Sequence, residues 1–227
     1  MQARSWLRFC RLNGLALALV FMAGCAGHGP DALHTGDARP LFVPARDLLV
    51  CDGLKVSNKP KTVGLRRVKD FTPYGMTLGG ITVLRNPAPG ACLTSGFGPR
   101  WGRMHSGIDL QIIPAGPIVA AAAGTVIERA FNRGYGKYVL IDHGKGVYTR
   151  YAHLENYAPH TEAGSTVRMG QVLGLMGGTA KKRLPVHLHY EVLMGAYDTK
   201  KKGFGLTPFN PLGLAPAPSP YDVALAD

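Results

Sequence analysis

The chain has 227 residues, of which 46% are hydrophobic and 18% are charged. This composition predicts a packed core and excludes an intrinsically disordered chain. The formal net charge of +12 favours anionic surroundings such as nucleic acid, anionic lipid or an acidic polymer. Because the sequence has neither a helix-turn-helix pattern nor interleaved aromatic and basic residues, we expect no nucleic-acid partner.

The amino terminus has the layout of a secretory signal peptide over residues 1–24. A positively charged segment precedes an apolar run at residues 15–23, which is far shorter than the ~20 residues of a membrane-spanning helix. Residues 22–25 resemble a bacterial lipobox, which predicts a lipid on Cys25 that anchors the protein to a membrane. Ala26 after that cysteine predicts the outer membrane and the periplasm. A plain cleaved signal or an uncleaved anchor is the alternative.

Two further cysteines, Cys51 and Cys92, follow this predicted leader. An even pair in an exported protein predicts an intramolecular disulfide between Cys51 and Cys92. Two buried free thiols are the alternative.

The rest of the chain divides by composition. Residues 25–47 are rich in glycine, proline and polar groups, which is typical of a linker. Residues 48–89 form a small lead-in region with short strand-like runs and no motif that we can assign, and residues 213–227 form a flexible Pro/Ala-rich tail. Residues 90–212 are the main domain, where we expect no sizeable helix and predict strands at 119–123, 124–127, 137–141, 147–151, 167–176 and 187–193. The turn-forming residues 142–146 predict a hairpin between the strands at 137–141 and 147–151.

Three short motifs in the main domain contain histidines. The first places His105 four residues before Asp109, and zinc accepts both imidazole nitrogen and carboxylate oxygen. In an extended stretch the side chains at positions i and i+4 point to the same side, so the two groups can converge. By itself this spacing is equally typical of a surface ion pair.

The second motif contains His187 and His189, which face the same way if both lie on one strand. One of them can then bind a metal while the other stays free in the same cavity; a polar strand face is the alternative. The third motif, Tyr-Ala-His-Leu, places His153 at the end of the second hairpin strand.

The order of these motifs, H-x-x-x-D, then Y-A-H-L, then H-L-H-Y-E, resembles the M23 metallopeptidase family of the lysostaphin/LytM type. The similarity extends over roughly residues 90–212 and includes the flanking stretches 94–100, 141–144 and 170–174. Pro185-Val186 departs from the Gly-Pro that usually precedes the histidine. The resemblance implies a mainly β fold, with an antiparallel β-sheet scaffold and a groove-shaped active site.

The resemblance also implies the roles of individual residues. His105, Asp109 and His189 would bind one Zn²⁺ ion and leave its fourth position for water, as in catalytic zinc sites. His153 and His187 would be the catalytic residues beside it, and which of them is the general base stays open. We do not expect Glu191 to be the base, and we assign no tyrosine.

These roles imply a zinc-dependent endopeptidase that hydrolyses peptide cross-links of peptidoglycan in the cell envelope, with peptidoglycan peptide stems as its partners. The alternative is a non-catalytic LytM-like regulator that activates cell-wall amidases, although such proteins have lost the metal ligands that this sequence retains. An iron-dependent oxygenase also uses two histidines and a carboxylate, but its usual spacing is H-x-D.

Overall fold

A computed structural model describes residues 43–78 and 80–213. The predicted signal peptide, the predicted lipid site at Cys25, most of the 25–47 linker and residues 214–227 of the tail lie outside the described residues. In the described part the mainly β prediction is confirmed, because its one helix is the short 3-10 turn Gly203–Gly205. None of the described helical structure has the length and apolar character needed to cross a bilayer.

The described residues form sixteen strands. In chain order they are β1 (Thr62–Val63), β2 (Arg67–Val68), β3 (Tyr74–Leu78), β4 (Ile81–Leu84), β5 (Cys92–Ser95), β6 (Gly98–Arg100), β7 (Arg103–His105), β8 (Ile108–Gln111), β9 (Pro117–Val119), β10 (Gly124–Asn132), β11 (Gly136–Asp142), β12 (Val147–Tyr157), β13 (Thr166–Val167), β14 (Val172–Met176), β15 (Leu188–Met194) and β16 (Thr207–Phe209).

A ten-stranded sheet forms the body of the protein. Its main path runs β13-β10-β11-β12-β15-β8-β5, and every pairing along it is antiparallel. The pairing of β11 with β12 contains the predicted hairpin, closed by hydrogen bonds between His143 and Val147 and between Val147 and Gly144. The sheet therefore places β12, β15 and β8 side by side at its centre.

Alternating side chains give this sheet two different faces. On one face, Tyr151, Tyr190 and Val192 are fully buried in the main hydrophobic core. Arg150 and Glu191 alternate with these residues and are almost fully buried on the opposite face. The candidate site lies on this second face.

Several predicted strands differ from those in the structure. The strand predicted at 124–127 continues to Asn132, and the stretch 167–176 contains the end of β13 and all of β14. The apolar run 119–123 belongs to a strand only up to Val119, and Ala120 then bonds to the Gln171 carbonyl in a buried connection. The run was mistaken for a strand because a buried loop is as apolar as a buried strand. Conversely, the strand predicted at 147–151 continues to Tyr157, so His153 lies inside it rather than at its end.

The lead-in region packs against the main sheet. Val50 and Ser57 form parallel bridges with Leu93 and Ser95, the latter two belonging to β5. The structure contains the predicted disulfide between Cys51 and Cys92, whose Cα atoms are 5.0 Å apart. The lead-in region is therefore joined to β5 by both hydrogen bonds and a covalent bond.

Candidate metal centre

A tight turn places His105 and Asp109 on the same side of the sheet. His105 ends β7 and Asp109 lies in β8, so the two residues lie on two strands and not in one extended stretch. The chain bends at Ser106-Gly107 instead. A Cβ atom at Gly107 would collide with the carbonyl oxygen of Tyr190, so only glycine lets this turn lie directly on β15.

The strand register brings His189 to the same point. His189 in β15 pairs with Asp109 on one side and with Ala152 in β12 on the other. Directly opposite residues in an antiparallel pair have neighbouring side chains on the same face. Sheet pairing therefore joins residues that are 80 positions apart in sequence.

His105, Asp109 and His189, which we call the ligand cluster, converge with one donor atom each. Nε2 of His105 lies 3.0 Å from Oδ1 of Asp109 and 3.0 Å from Nδ1 of His189, and Nδ1 of His189 lies 2.9 Å from Oδ1 of Asp109. Tetrahedral ligands that are 2.0–2.1 Å from zinc stand about 3.3 Å apart. The three buried donors therefore fit a single small ion.

Hydrogen bonds on the far side of each imidazole set its tautomer. Nδ1 of His105 lies 2.7 Å from the carbonyl oxygen of Gly96, and Nε2 of His189 lies 3.0 Å from Oε1 of Glu191. Because these oxygens can only accept, each of those nitrogens must carry the proton. The second nitrogen of each ring, Nε2 of His105 and Nδ1 of His189, therefore faces the cluster and is the atom that would bind a metal ion.

The charges around the cluster favour a cation. Burial opposes the charged form of His189, but Asp109 and Glu191 outweigh this effect and raise the pKa of His189 to about 9. Burial likewise opposes ionisation of Asp109, whereas its hydrogen bonds to His105 and His189 hold its pKa well below the usual range. The site therefore stabilises a positive charge beside the Asp109 carboxylate, which is the requirement for a metal ion.

His153 and His187 lie beside the cluster. Their ring centroids are 4.6 Å apart, and Nε2 of His187 is 4.0 Å from Oδ1 of Asp109. His187 immediately precedes β15 rather than standing on it, whereas His153 adopts a left-handed φ of 63° within β12. For a residue other than glycine this conformation is strained, which is common at functional positions.

Both of these histidines are neutral at pH 7. Burial, followed by repulsion from His187, lowers the pKa of His153 to about 4, and burial lowers the pKa of His187. Nδ1 of each ring donates to a backbone carbonyl, of Thr179 at 2.8 Å and of Pro185 at 2.7 Å. Nε2 of each ring therefore keeps a lone pair that can accept a proton.

The ligand cluster and these two histidines all line one open groove with a volume of about 410 Å³. Its walls also contain Arg100, Arg103, Met104, Tyr135 and Leu184. The structure thus brings together all five site residues that the sequence predicts, and it leaves His143 and His160 outside the groove lining.

Sequence reasoning missed the polar cluster behind His189. Glu191 is fully buried and accepts hydrogen bonds from Arg150 at 2.5 Å, from the Tyr135 hydroxyl at 2.8 Å and from Ser106. Glu191 therefore orients His189 from behind and is not among the residues that line the groove. A charged residue at position 150, within an otherwise apolar run, was the one local signal of this cluster.

Substituting glutamine for Glu191 should destabilise the fold strongly, because it leaves the buried Arg150 without its counter-charge. We expect a loss of about 3–5 kcal/mol in the free energy of unfolding, measured by urea titration. The matched control is Glu162→Gln, which breaks the exposed ion pair with Arg129 and should leave stability nearly unchanged. Equal effects of the two substitutions would contradict this role of the buried pair.

An antiparallel β fold with a buried His-Asp-His cluster and two neutral histidines in an open groove has the donor set of a candidate metal site beside acid–base groups. Residues 103–201 match the profile of Peptidase family M23, and this part of the chain belongs to that family.

Named relatives share this domain over part of their length. The chain is 40% identical over 89 residues to the DD-carboxypeptidase/endopeptidase Mpg of Neisseria meningitidis serogroup B, a match that covers 39% of this chain and 20% of that protein. It is 38% identical over 119 residues to the peptidoglycan DD-endopeptidase ShyC of Vibrio cholerae, a match that covers 49% of this chain and 27% of that protein. Among solved structures, a zinc-containing peptidase from Vibrio cholerae is 28% identical with a TM-score of 0.49, covering 60% of this chain and 40% of that one. The matched segments thus span about a quarter or less of the two named relatives.

Proposed function

We propose that this protein is a zinc-dependent endopeptidase that hydrolyses peptide cross-links of peptidoglycan. The observation that carries the proposal is the convergence of three buried donor atoms, from His105, Asp109 and His189, at the floor of an open groove. Membership of residues 103–201 in peptidase family M23 supports a peptidase. The similarity to the V. cholerae protein named a peptidoglycan DD-endopeptidase supports the substrate class.

The ligand cluster would hold zinc through Nε2 of His105, Oδ1 of Asp109 and Nδ1 of His189. A zinc ion with three protein ligands lowers the pKa of a bound water toward 7 and polarises a peptide carbonyl. Gly96, Glu191 and Arg100 would keep these donors aligned, Arg100 by its 3.0 Å bond to the outer oxygen of Asp109.

His153 and His187 would carry the proton transfers. Each presents an unprotonated Nε2 on the groove side, while its Nδ1 is committed to a backbone carbonyl. One imidazole would accept the proton of the attacking water, and the other would orient that water by accepting a hydrogen bond at its Nε2. The imidazolium formed in this way would donate a hydrogen bond to the developing oxyanion. A proton then returns from an imidazole to the departing amine, which allows the peptide bond to break.

The shape and charge of the groove suit an anionic polymer. The groove is open, so a chain segment can enter it without threading. The basic residue Arg103 lies in the groove lining and is exposed. Two further basic residues, Lys181 and Arg133, are hydrogen-bonded to each other through their backbones, next to Gly134 of the lining. The proposed location is the periplasm, with the protein tethered to the outer membrane through Cys25.

Metal analysis combined with digestion of purified sacculi tests the proposal. The wild-type protein should bind about one zinc ion per chain and release soluble peptides with new amino termini. A chelator should abolish the release, and added zinc should restore it. Zinc binding with no peptide release, accompanied by stimulation of a wall amidase, would overturn the endopeptidase in favour of the regulator.

A further inference from the structure

We propose that residues 48–58, which we call the strap, position two of the three ligand residues. The inference rests on the proposed function in that it takes the ligand cluster to bind zinc. The strap lies outside residues 103–201, the part that matches Peptidase family M23. It contains no group that points into the groove, so its effect would be exerted through other residues.

The first half of the strap is an added edge strand on β5. The amide of Leu93 donates to the carbonyl of Leu49 at 2.8 Å, and the amide of Cys51 donates to the carbonyl of Leu93 at 3.0 Å. The disulfide to Cys92 closes this pairing covalently. Without the strap, β5 would be the exposed edge of the ten-stranded sheet, and edge strands lack hydrogen-bond partners on one side.

The second half of the strap supports the loop after β5. The Gly96 amide donates to the carbonyl of Ser57 at 2.8 Å, next to the bridge between Ser57 and Ser95. A Cβ atom at position 96 would collide with the carbonyl oxygen of Asn58, so strap and loop are in direct contact. Asn58 adopts a left-handed φ of 50°, which asparagine tolerates better than most residues.

This loop holds both ligand residues of the β7–β8 turn. The Gly96 carbonyl accepts from Nδ1 of His105 at 2.7 Å. The hydroxyl of Ser95 accepts from Nη1 of Arg100 at 2.7 Å, and the same nitrogen donates to Oδ2 of Asp109 at 3.0 Å. The hydrogen bonds that orient His105 and Asp109 therefore depend on residues 95 and 96, which Ser57 contacts. His189 is oriented by Glu191 instead.

These contacts predict a specific role in metal binding. Groups that orient metal ligands typically change metal affinity by about 10–100-fold when they are removed. Both backbone groups of Gly96 are hydrogen-bonded: its amide donates to Ser57 and its carbonyl accepts from His105. Freeing the strap should therefore let the His105 ring and the Asp109 carboxylate leave their converging positions.

The test compares zinc affinities of full-length mature proteins by competition with a chromophoric chelator. In the double variant Cys51→Ser/Cys92→Ser we expect zinc to bind about 10-fold more weakly or worse. The matched control is Val167→Ala, which removes buried side-chain atoms from β13, at the opposite end of the sheet path from β5. Its unfolding midpoint should fall while its zinc affinity stays at the wild-type value.

A second variant leaves the disulfide intact. Gly96→Ala inserts a methyl group between loop and strap, and it should weaken zinc binding to a similar extent. The triple variant combines Gly96→Ala with Cys51→Ser/Cys92→Ser. Because both changes disrupt the same set of contacts, its zinc affinity should be close to that of whichever variant binds zinc more weakly, and the two fold-losses in affinity should not multiply. Independent, multiplicative losses would contradict a shared path.

Hydrogen exchange of the zinc-free protein separates this inference from the proposed function. Opening the disulfide should accelerate exchange of the amides at residues 93–105 by about 10-fold or more, with little change in β12. If the wild type binds no zinc, the proposed function fails, and exchange alone then decides whether the strap holds this segment. Unchanged exchange, or a zinc affinity of the disulfide-free variant equal to that of the wild type, would overturn the inference.

Discussion

Replacing His105 with alanine should abolish both zinc binding and digestion of sacculi. The substitution removes one of three protein donors from a buried site and leaves the carbonyl of Gly96 without its partner. We expect zinc content to fall from about one ion per chain to nearly none. The cleavage rate should fall by about 1,000-fold or more, because zinc contributes several kcal/mol to the stabilisation of the transition state. Metal analysis and peptide release report the two effects separately.

His143→Ala is the matched control. His143 is also buried and also bonds through Nδ1 to a backbone carbonyl, that of Ala123 at 2.8 Å, but it does not line the groove. This control should lower stability and yet keep one zinc ion and the cleavage activity of the folded protein. A His105→Ala protein that retained its zinc and digested sacculi normally would show that the ligand assignment is wrong.

Replacing His153 with asparagine should separate chemistry from metal binding. His153 lies beside the ligand cluster but supplies no donor atom to it, so the variant should keep its zinc. The loss of its Nε2 should lower the cleavage rate by about 100- to 10,000-fold, the usual contribution of a general acid or base. Asparagine is preferred to alanine because it better tolerates the left-handed φ of 63° at this position.

The control for this substitution is His160→Asn. His160 has a φ of 58°, so it makes the same exchange in a similar backbone conformation, but its side chain is exposed and lies outside the groove lining. Its zinc content and its cleavage rate should both match those of the wild type. Digestion by His153→Asn at the wild-type rate would refute the catalytic role of His153.

Residue types, local spacing and the resemblance to the M23 family together predicted the five residues that the structure brings together at this site. The alternation of apolar and polar residues predicted the strands that became β11 and β15. The H-x-x-x-D and H-x-H spacings offered candidate donors, and the resemblance to the M23 family implied that His105, Asp109 and His189 bind one ion. An even cysteine count predicted the disulfide now seen between Cys51 and Cys92. The strand predictions succeed because the alternation of side chains along a strand is a local property of its backbone.

Other parts of the site depend on contacts that local patterns do not encode. The burial of Glu191 against Arg150 and Tyr135, and the contact of Ser95 with Ser57, join residues that lie 38 to 56 positions apart. The bend at Gly107 and the left-handed His153 likewise arise where one strand crosses or pairs with another. Sequence periodicity identifies the face on which a side chain lies, whereas the strand register across the sheet determines which distant group it meets.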